Sequence, residues 1–339
     1  MIRVLIIDDS ATMRALIAAT LRRDPQITVI GQACNPQEAR AAIKALNPDV
    51  ITLDVDMPGM NGLDFLEKLM RLRPMPVVMI STLTARGAET TLKALALGAV
   101  ECVEKPQRGE GFENLSEAIH TAAAARVRAA GEGGPRAAPA PFLGEGTVVG
   151  IGSSTGGVEA LTAVLSAFPA NCPPTLITQH IRPAFTRSLA ERLDRHCAAS
   201  VREATDGAPL QQGCVYLAPG GELHLAIGGS GPWRCSLQHG PAVNGHCPSV
   251  DVLFASLARH AGPHAVGAIL TGMGRDGARG LLAIRERGGR TLGQDQESCV
   301  VYGMPRAAFE IGAVETQVPL NSMATRILRA ASSLSIGVS

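Results

Sequence analysis

Short apolar runs alternate with amphipathic stretches along residues 1–125. The first run, at residues 3–7, is followed by apolar residues that recur at helical spacing from Met13 to Leu21. Further runs of strand length lie at residues 28–30, 50–53, 77–80 and 100–103, with helical patterns between them. Five strand-helix units in succession predict a doubly wound, three-layer α/β domain with a parallel sheet of five strands.

The regular pattern stops at residues 126–146 and resumes after them. Residues 130–146 hold five glycines and three prolines and have no periodicity, which indicates a linker. New strand-like runs then occur at residues 147–151, 175–178, 214–218 and 265–270, and a helical pattern covers residues 158–168. The sequence therefore predicts a first domain at 1–125, a linker at 126–146, and a larger three-layer α/β domain with a parallel sheet at 147–339.

Composition and charge narrow the classes of partner. The chain has 339 residues, with 31 Lys and Arg against 30 Asp and Glu, so we expect no broad basic surface for nucleic acid. Its apolar runs are far shorter than the roughly 20 residues of a membrane span, and its first residues lack the pattern of a secretory signal. We therefore expect a soluble, cytoplasmic protein without membrane insertion. The eight scattered cysteines form no C-x-x-C pair, which argues against a zinc site or a secreted disulfide framework.

Polar residues follow four predicted strands of the first domain, and parallel strands bring their carboxyl ends to one edge of the sheet. They are Asp8 and Asp9 after the first strand, Asp54 after the third, Ser81 after the fourth and Lys105 after the fifth. Clustered carboxylates repel one another unless a cation neutralises them, and hard oxygen ligands suit Mg²⁺. A carboxylate beside a metal ion and a lysine can accept a phosphoryl group. Each aspartate alone could equally be a solvated turn residue.

These residues resemble a response-regulator receiver domain, whose fold is flavodoxin-like. The resemblance covers residues 1 to about 120 and is carried by Asp8-Asp9, the segment Leu-Asp-Val-Asp-Met-Pro-Gly-Met-Asn-Gly at 53–62, Ser81 and Lys105-Pro106. It implies that Asp54 is the phosphoacceptor and that Ser81 and Lys105 contact the phosphoryl group.

The resemblance also implies a Mg²⁺ site in the receiver. Asp9 and Asp54 would be direct ligands, Asp8 would act through a water molecule, and the backbone carbonyl of Asp56 would be a further ligand. The chain departs from the receiver pattern at Cys102, where these domains usually carry Tyr or Phe.

A glycine-rich turn follows the first predicted strand of the second domain. Gly152-Ser-Ser154-Thr-Gly156 fits the nucleophile-elbow pattern G-x-S-x-G, with Ser154 at its centre. Glycines permit the tight turn and the close approach of a carbonyl group, and the helix N-terminus favours developing negative charge. A phosphate-binding dinucleotide loop is the rival interpretation. Against it, the next strand is not followed by Asp or Glu, and no Gly-Lys-Ser/Thr follows the glycines.

Two further residues at predicted strand ends can form a catalytic triad with Ser154. His180 follows the run at 175–178, and a histidine there can accept the serine proton. Asp276 follows the run at 265–270 and can fix the tautomer of that histidine. Taken singly, His180 could be structural, and Asp276 could be a cap of the helix that follows it.

The second domain resembles the catalytic domain of the chemotaxis protein-glutamate methylesterases, the CheB family, and with the receiver the likeness covers essentially the whole chain. It is carried by Gly-Ile-Gly-Ser-Ser-Thr-Gly-Gly at 150–157, Gln179-His180, and the segments at 185–193, 217–221, 248–254 and 270–278. It implies that Ser154 is the nucleophile, His180 the general base and Asp276 the orienting acid. Thr155 and the backbone at Met273 would line the oxyanion region. His246-Cys247 departs from the His-Arg that is more familiar in the family.

The resemblance further implies a reaction and its control. The chain would demethylate glutamate methyl esters on methyl-accepting chemoreceptors, release methanol and deamidate receptor glutamines, with no cofactor in the esterase. A chemotaxis histidine kinase would phosphorylate Asp54 and so relieve inhibition by the receiver. The alternative from another class is a signalling adaptor, in which the second domain binds a partner or a nucleotide without catalysis.

Overall fold

The computed structural model describes residues 1–57, 60–82, 85–106, 111–127, 140–229 and 232–335. The chain divides into two compact units, Met1–Glu132 and Gly133–Ser339. Residues 128–139 of the predicted linker lie outside the described residues, and the predicted domain boundaries stay predictions. Among the helices in the described ranges, none combines the length and the hydropathy needed to cross a bilayer.

The first unit is built on a five-stranded parallel sheet. Its strands are β1 (Ile2–Ile7), β2 (Ile27–Ala33), β3 (Val50–Asp54), β4 (Val77–Ser81) and β5 (Glu101–Glu104). Its helices are α1 (Ala11–Leu21), α2 (Pro36–Leu46), α3 (Gly62–Leu72), α4 (Ala85–Ala96) and α5 (Leu115–Ala124). The strand order β2-β1-β3-β4-β5, with every pairing parallel, confirms the predicted flavodoxin-like sheet.

Burial and helix caps explain why this sequence forms these elements. Strands β3 and β4 are buried along their whole length, as expected for central strands whose two faces are both covered. Helix α2 begins where the Asn35 side chain accepts a hydrogen bond from the Glu38 N–H and Pro36 occupies the first turn. Asn61 caps α3 through the Leu63 N–H, so that α3 starts shortly after the carboxyl end of β3.

The second unit is built on a seven-stranded parallel sheet of order β14-β13-β12-β6-β7-β9-β8, and a separate antiparallel hairpin joins β10 to β11. The strands are β6 (Val148–Ser153), β7 (Thr175–Gln179), β8 (Ser200–Glu203), β9 (Cys214–Leu217), β10 (Leu223–Gly228), β11 (Arg234–His239), β12 (Ala265–Ile269), β13 (Arg290–Gln294) and β14 (Thr316–Val318). The helices are α6 (Gly157–Leu165), α7 (Pro183–His196), α8 (Val250–His260), α9 (Ala278–Glu286), α10 (Met304–Glu310) and α11 (Leu320–Ser335), with a 3₁₀ turn at Gly262–His264. The predicted parallel α/β architecture is confirmed.

Strand β6 lies between β7 and β12, where the winding direction of the sheet reverses. Ligands bind at such a switch point, beyond the carboxyl ends of the strands. Glycines in β6 let α8 approach the sheet closely, because a Cβ on Gly150 would collide with Leu257 and a Cβ on Gly152 would collide with Val250. The N-terminus of α8 is therefore placed beside the residues that follow β6 and β12.

Several strands of the second unit have no counterpart among the runs that the sequence predicts. Strand β8 has four residues and β14 has three, and exposed positions interrupt both, so neither forms an apolar run. Strand β13 carries Gly293 and Gln294 in a buried position. The hairpin of β10 and β11 is defined by pairing between two chain segments rather than by either segment alone.

The described end of the predicted linker packs on the second unit. Phe142 is 6% exposed. Its N–H donates to Asn171 Oδ1 and its carbonyl accepts from Asn171 Nδ2, both at 2.9 Å. The Asn171 side chain thus pairs with this backbone much as a neighbouring strand would.

Candidate functional site

Ser154 lies directly after β6, at the turn that leads into α6. Gly156 has a φ of 78°, in the left-handed region that favours glycine, so the chain can turn sharply there. A Cβ on Gly157 would collide with the side chain of Gln179, which restricts this position to glycine as well. The segment is therefore a strand-turn-helix corner that places Ser154 at the carboxyl edge of the sheet.

The buried side chain of Gln179, at the end of β7, ties the corner to the neighbouring strand. Its Oε1 accepts from Ser153 Oγ at 2.6 Å, and its Nε2 donates to the carbonyls of Ser154 and His180, each at 2.9 Å. The His180 N–H donates to the Ser153 carbonyl at 2.9 Å. Sequence reasoning misses Gln179 as a site residue, and the signal for it is a polar residue at the end of an apolar strand.

His180 and Asp276 form a buried pair, with Nε2 2.9 Å from Oδ2 and side chains 7% and 1% exposed. The other ring nitrogen, Nδ1, is buried and has no hydrogen-bond partner in the described part of the chain. Because Asp276 accepts the Nε2 proton, Nδ1 is left to accept a proton from elsewhere. Ser154 Oγ does not bond to Nδ1 in this conformation, and such catalytic bonds often tighten only with substrate. The triad stays a prediction.

Asp276 lies against the N-terminus of α8. Beside the His180 bond, its carboxylate accepts from Asn244 Nδ2 at 2.9 Å, Ser249 Oγ at 2.7 Å, Val250 N at 2.7 Å and Asp251 N at 3.2 Å. Burial raises the pKa of Asp276, but the bonds from His180, Asn244, Ser249 and Val250 outweigh it and hold the pKa well below the ordinary value. Asp276 therefore does cap a helix, although that helix is α8 and not the following α9, and the same carboxylate binds His180.

The loop after β12 passes beside the corner. The Ser154 N–H donates to the Thr271 carbonyl at 3.0 Å, and Thr271 Oγ1 donates to the Thr155 carbonyl at 2.9 Å. A Cβ on Gly272 would come 2.7 Å from the Cβ of Ser154, so only glycine fits at position 272. Met273, 43% exposed, is the next residue. Thr155 and Met273 thus both lie near Ser154, and their oxyanion roles stay predictions.

A second histidine, His246, packs against the ring of His180. The rings of His180 and His246 stack with their centroids 3.7 Å apart and 11° between their planes. Burial, and then the proximity of His180, lower the pKa of His246, so this ring is neutral at neutral pH. In the sequence, His246 is notable only as part of a departure from the family pattern.

Three aspartates of the first unit lie together at one edge of its sheet. Lys105 Nζ lies 2.7 Å from Asp54 Oδ1 and 3.8 Å from Asp8 Oδ2. Ligand oxygens of Asp8, Asp9 and Asp54 lie within 4.8 Å of one another. The Asp56 N–H donates to Asp54 Oδ1 at 3.3 Å, while its own side chain is exposed. The structure therefore brings the predicted aspartates and Lys105 together.

Electrostatics suit this cluster to a cation. Burial, and then the charge of Asp54, raise the pKa of Asp8 to about 6. Burial also raises the pKa of Asp54, although the Lys105 ammonium opposes this. Asp8 Oδ2 and Asp54 Oδ2 are buried without hydrogen-bond partners in the described ranges. One ammonium cannot neutralise several carboxylates, so the hard oxygen donors fit Mg²⁺.

Of the remaining residues singled out in this unit, Ser81 lies at the same edge and Cys102 lies inside a strand. Ser81 is buried at the end of β4, and its carbonyl accepts from the Lys105 N–H at 2.8 Å. Cys102, within β5, places Sγ 3.9 Å from the Thr91 carbonyl of α4. Burial raises the pKa of the Cys102 thiol well above its usual value. A neutral thiol therefore stands where receivers usually carry an aromatic ring.

Comparison with known sequences decides the family. Residues 149–327 match the family described as CheB methylesterase, and residues 4–119 match the response regulator receiver domain. A protein of Caulobacter vibrioides named protein-glutamate methylesterase/protein-glutamine glutaminase 1 is 61% identical over 98% of both chains. The chain belongs to the CheB methylesterase family. Its receiver domain is the first unit.

Other members of the CheB family are also similar to this chain. An Agrobacterium fabrum protein named protein-glutamate methylesterase/protein-glutamine glutaminase is 59% identical over 96% of both chains, and a Bordetella bronchiseptica protein of the same name is 52% identical over 96% of both. The crystal structure of the Thermotoga maritima CheB methylesterase catalytic domain has 36% identity and a TM-score of 0.53, covering 55% of this chain and 98% of that one.

Proposed function

We propose that the chain is a cytoplasmic serine hydrolase that demethylates glutamate methyl esters on chemoreceptors. The observation that carries this proposal is the His180–Asp276 pair, 2.9 Å apart, with Nδ1 buried and unpartnered at the sheet edge that holds Ser154. We assign that nitrogen as the base that takes the proton of the serine hydroxyl. Family membership supplies the substrate class, because relatives are named protein-glutamate methylesterases.

The reaction follows from these groups. Ser154 Oγ attacks the ester carbonyl while His180 Nδ1 takes its proton, and Asp276 stabilises the imidazolium. The tetrahedral oxyanion collapses, the bond to methoxide breaks, and His180 returns the proton so that methanol leaves. Water then attacks the acyl-enzyme by the same route and releases the glutamate carboxylate and Ser154. A glutamine amide can follow the same path with ammonia as leaving group, so we propose deamidation as well.

Charge on the oxyanion needs donors beside Ser154. We assign this region to Thr155 and the backbone at Met273, with support from the N-terminus of α6. Gly272 lets the loop after β12 approach Ser154 closely, because a Cβ at this position would collide with the Ser154 Cβ.

Methanol release from methylated receptor tests the hydrolase. Ser154→Ala should lower turnover by roughly six orders of magnitude, the scale seen when a triad nucleophile is removed. Ser200→Ala, at an exposed serine of β8, is the matched control and should leave turnover unchanged. A serine-reactive phosphonate should label Ser154, whereas the rival adaptor without catalysis would not be labelled. Full methanol release by Ser154→Ala would refute the proposal.

For the receiver, we propose that a chemotaxis histidine kinase phosphorylates Asp54. Asp9 and Asp54, with Asp8 through water and the carbonyl of Asp56, would hold Mg²⁺. The bound ion supplies positive charge that stabilises the oxygens of the transferring phosphoryl group. Lys105, 2.7 Å from Asp54, and Ser81 contact that group once it is attached.

We further propose that the unphosphorylated receiver inhibits the esterase and that phosphorylation relieves the inhibition. A receiver and an esterase in one chain, with a glycine- and proline-rich stretch near residues 126–146, support this arrangement. The domains would be 1–125 and 147–339.

A further inference from the structure

The chain reaches His246 through a tight turn. Val243 and His246 exchange both backbone hydrogen bonds at 3.0 Å. The two residues between them, Asn244 and Gly245, have φ values of 53° and 82°. Left-handed values at both central positions, with the sequence Asn-Gly, are typical of a type I′ turn. We refer to residues 243–246 as the clamp turn.

Asn244 anchors the clamp turn to two carboxylates. Its Nδ2 donates to Asp251 Oδ2 at 2.7 Å and to Asp276 Oδ1 at 2.9 Å. Carboxylates accept only, so the amide nitrogen must face them. The other oxygen of Asp251 accepts from the Gly280 N–H at 2.7 Å. Asn244 therefore places two donors between two acids that would otherwise repel each other.

His246 carries the effect of this anchor to the catalytic ring. The bond from Nε2 to Asp276 fixes one point of the His180 imidazole but still lets the ring pivot about that bond. A flat ring stacked at 3.7 Å fixes the plane as well. With the plane fixed, Nδ1 keeps one direction, and general-base catalysis depends on that direction.

We propose that Asn244 and His246 are positioning residues, and that the clamp turn holds the His180 ring in the orientation in which Nδ1 serves Ser154. The inference rests on the proposed hydrolase function. Neither residue touches the reacting atoms in this assignment. His246 acts through His180, and Asn244 acts through Asp276 and the turn.

The first test separates stacking from fold. In the full chain, His246→Ala should lower kcat on methylated receptor by about 100-fold, as expected for a small misplacement of a catalytic group, while KM is unchanged. His246→Phe restores a flat ring that cannot titrate and should recover most of that loss. His239→Ala, at an exposed histidine of β11, is the matched control. A His246→Ala enzyme with unaltered kcat would overturn the role of His246.

The second test addresses the anchor. Asn244→Gly removes both donors without a backbone penalty, because glycine adopts positive φ freely, and should lower kcat by about ten-fold. Asn244→Asp keeps a residue type that tolerates this backbone but adds a third carboxylate, and should lower kcat further. If Asn244→Asp matched the wild type, the anchoring role would be wrong.

A third measurement does not depend on turnover. In a Ser154→Ala background, NMR should detect the His180 Nε2–H as a slowly exchanging downfield proton. The signal should broaden in His246→Ala and sharpen again in His246→Phe. Receptor esterase activity can fail while this pattern holds, and then only the proposed function is lost. An identical signal in all three proteins would overturn the positioning role whatever the receptor assay gives.

Discussion

A single hydrogen bond decides which nitrogen of His180 can act as base. Asp276 receives the Nε2 proton, which leaves Nδ1 without a partner in the described part of the chain and able to accept a proton. In the chymotrypsin triad the two nitrogens have the opposite assignments. Either nitrogen can serve, since what matters is that the carboxylate and the hydroxyl lie at opposite sides of the ring. The residue types are the same in both cases, so only the folded structure distinguishes the two assignments.

Asp276→Asn tests this assignment. The amide can donate to the ring nitrogen that should carry a proton, so the wrong tautomer becomes stable and kcat should fall by about 10⁴-fold. The measurement is methanol release, with phosphonate labelling of Ser154 as a second readout. Retention of near wild-type turnover would contradict the role of Asp276.

Asp8 should make the receiver less stable as pH rises. Its native pKa of about 6 lies above the ordinary 3.8, so between these values the native state binds more protons than the unfolded state. Stability is then present at low pH and is lost as pH rises through about 6. Asp8→Asn should stabilise the receiver by on the order of 2 kcal/mol above that pH and have little effect below about pH 4.

Thermal unfolding of wild type and Asp8→Asn across this pH range, without added metal, measures the difference in their stability. Glu67→Gln, at an exposed carboxylate of α3, should leave the pH dependence unaltered. Mg²⁺ should reduce the difference in stability between wild type and Asp8→Asn, because the ion neutralises the carboxylate oxygens of the aspartate cluster. Equal pH dependence in wild type and Asp8→Asn would contradict the assignment.

At the scale of elements, the segment around Phe142 belongs to the packed structure of the second unit although its composition is that of a linker. The buried Phe142 ring supplies apolar burial, and Asn171 satisfies the backbone N–H and carbonyl of the same residue. A fragment that starts at residue 147 lacks these contacts, whereas one that starts at residue 140 keeps them.

Phe142→Ala should therefore destabilise the fragment from residue 140 by about 3 kcal/mol, as for a large buried side chain. The fragment from residue 147, which lacks Phe142, should be destabilised by a similar amount, measured as a lower melting temperature than that of the fragment from residue 140. Leu143→Ala is the matched control, since the neighbouring side chain is 83% exposed. If Phe142→Ala and Leu143→Ala melted together, the segment would not contribute to folding.

At the scale of the whole molecule, the proposed regulation links phosphorylation of the receiver to ester hydrolysis by the second domain. With Mg²⁺ and a small phosphodonor, the full chain should release methanol faster, and the fragment from residue 140 should be active without either. Asp54→Asn should keep the basal rate and lose the response. An unchanged rate in all of these proteins would defeat the proposed regulation.

Much of this arrangement is predictable from local pattern. The order of apolar runs predicts both parallel sheets, and residues directly after strands predict the neighbourhoods of Asp54 and Ser154, because parallel strands end at a common edge. Short or polar strands such as β8, β13 and β14 escape prediction because their burial depends on neighbours that are distant in sequence.

By itself, the sequence determined the two α/β architectures, the family, and the positions of Asp54, Ser154, His180 and Asp276. Each of these is marked by a strand end or a motif within one segment. Tertiary structure alone decided that Asp276 caps α8, that Nδ1 is the free nitrogen of His180, and that Asn244 and His246 lie on the buried pair. The physical reason is that these contacts join segments far apart in the chain, so no local periodicity or spacing encodes them.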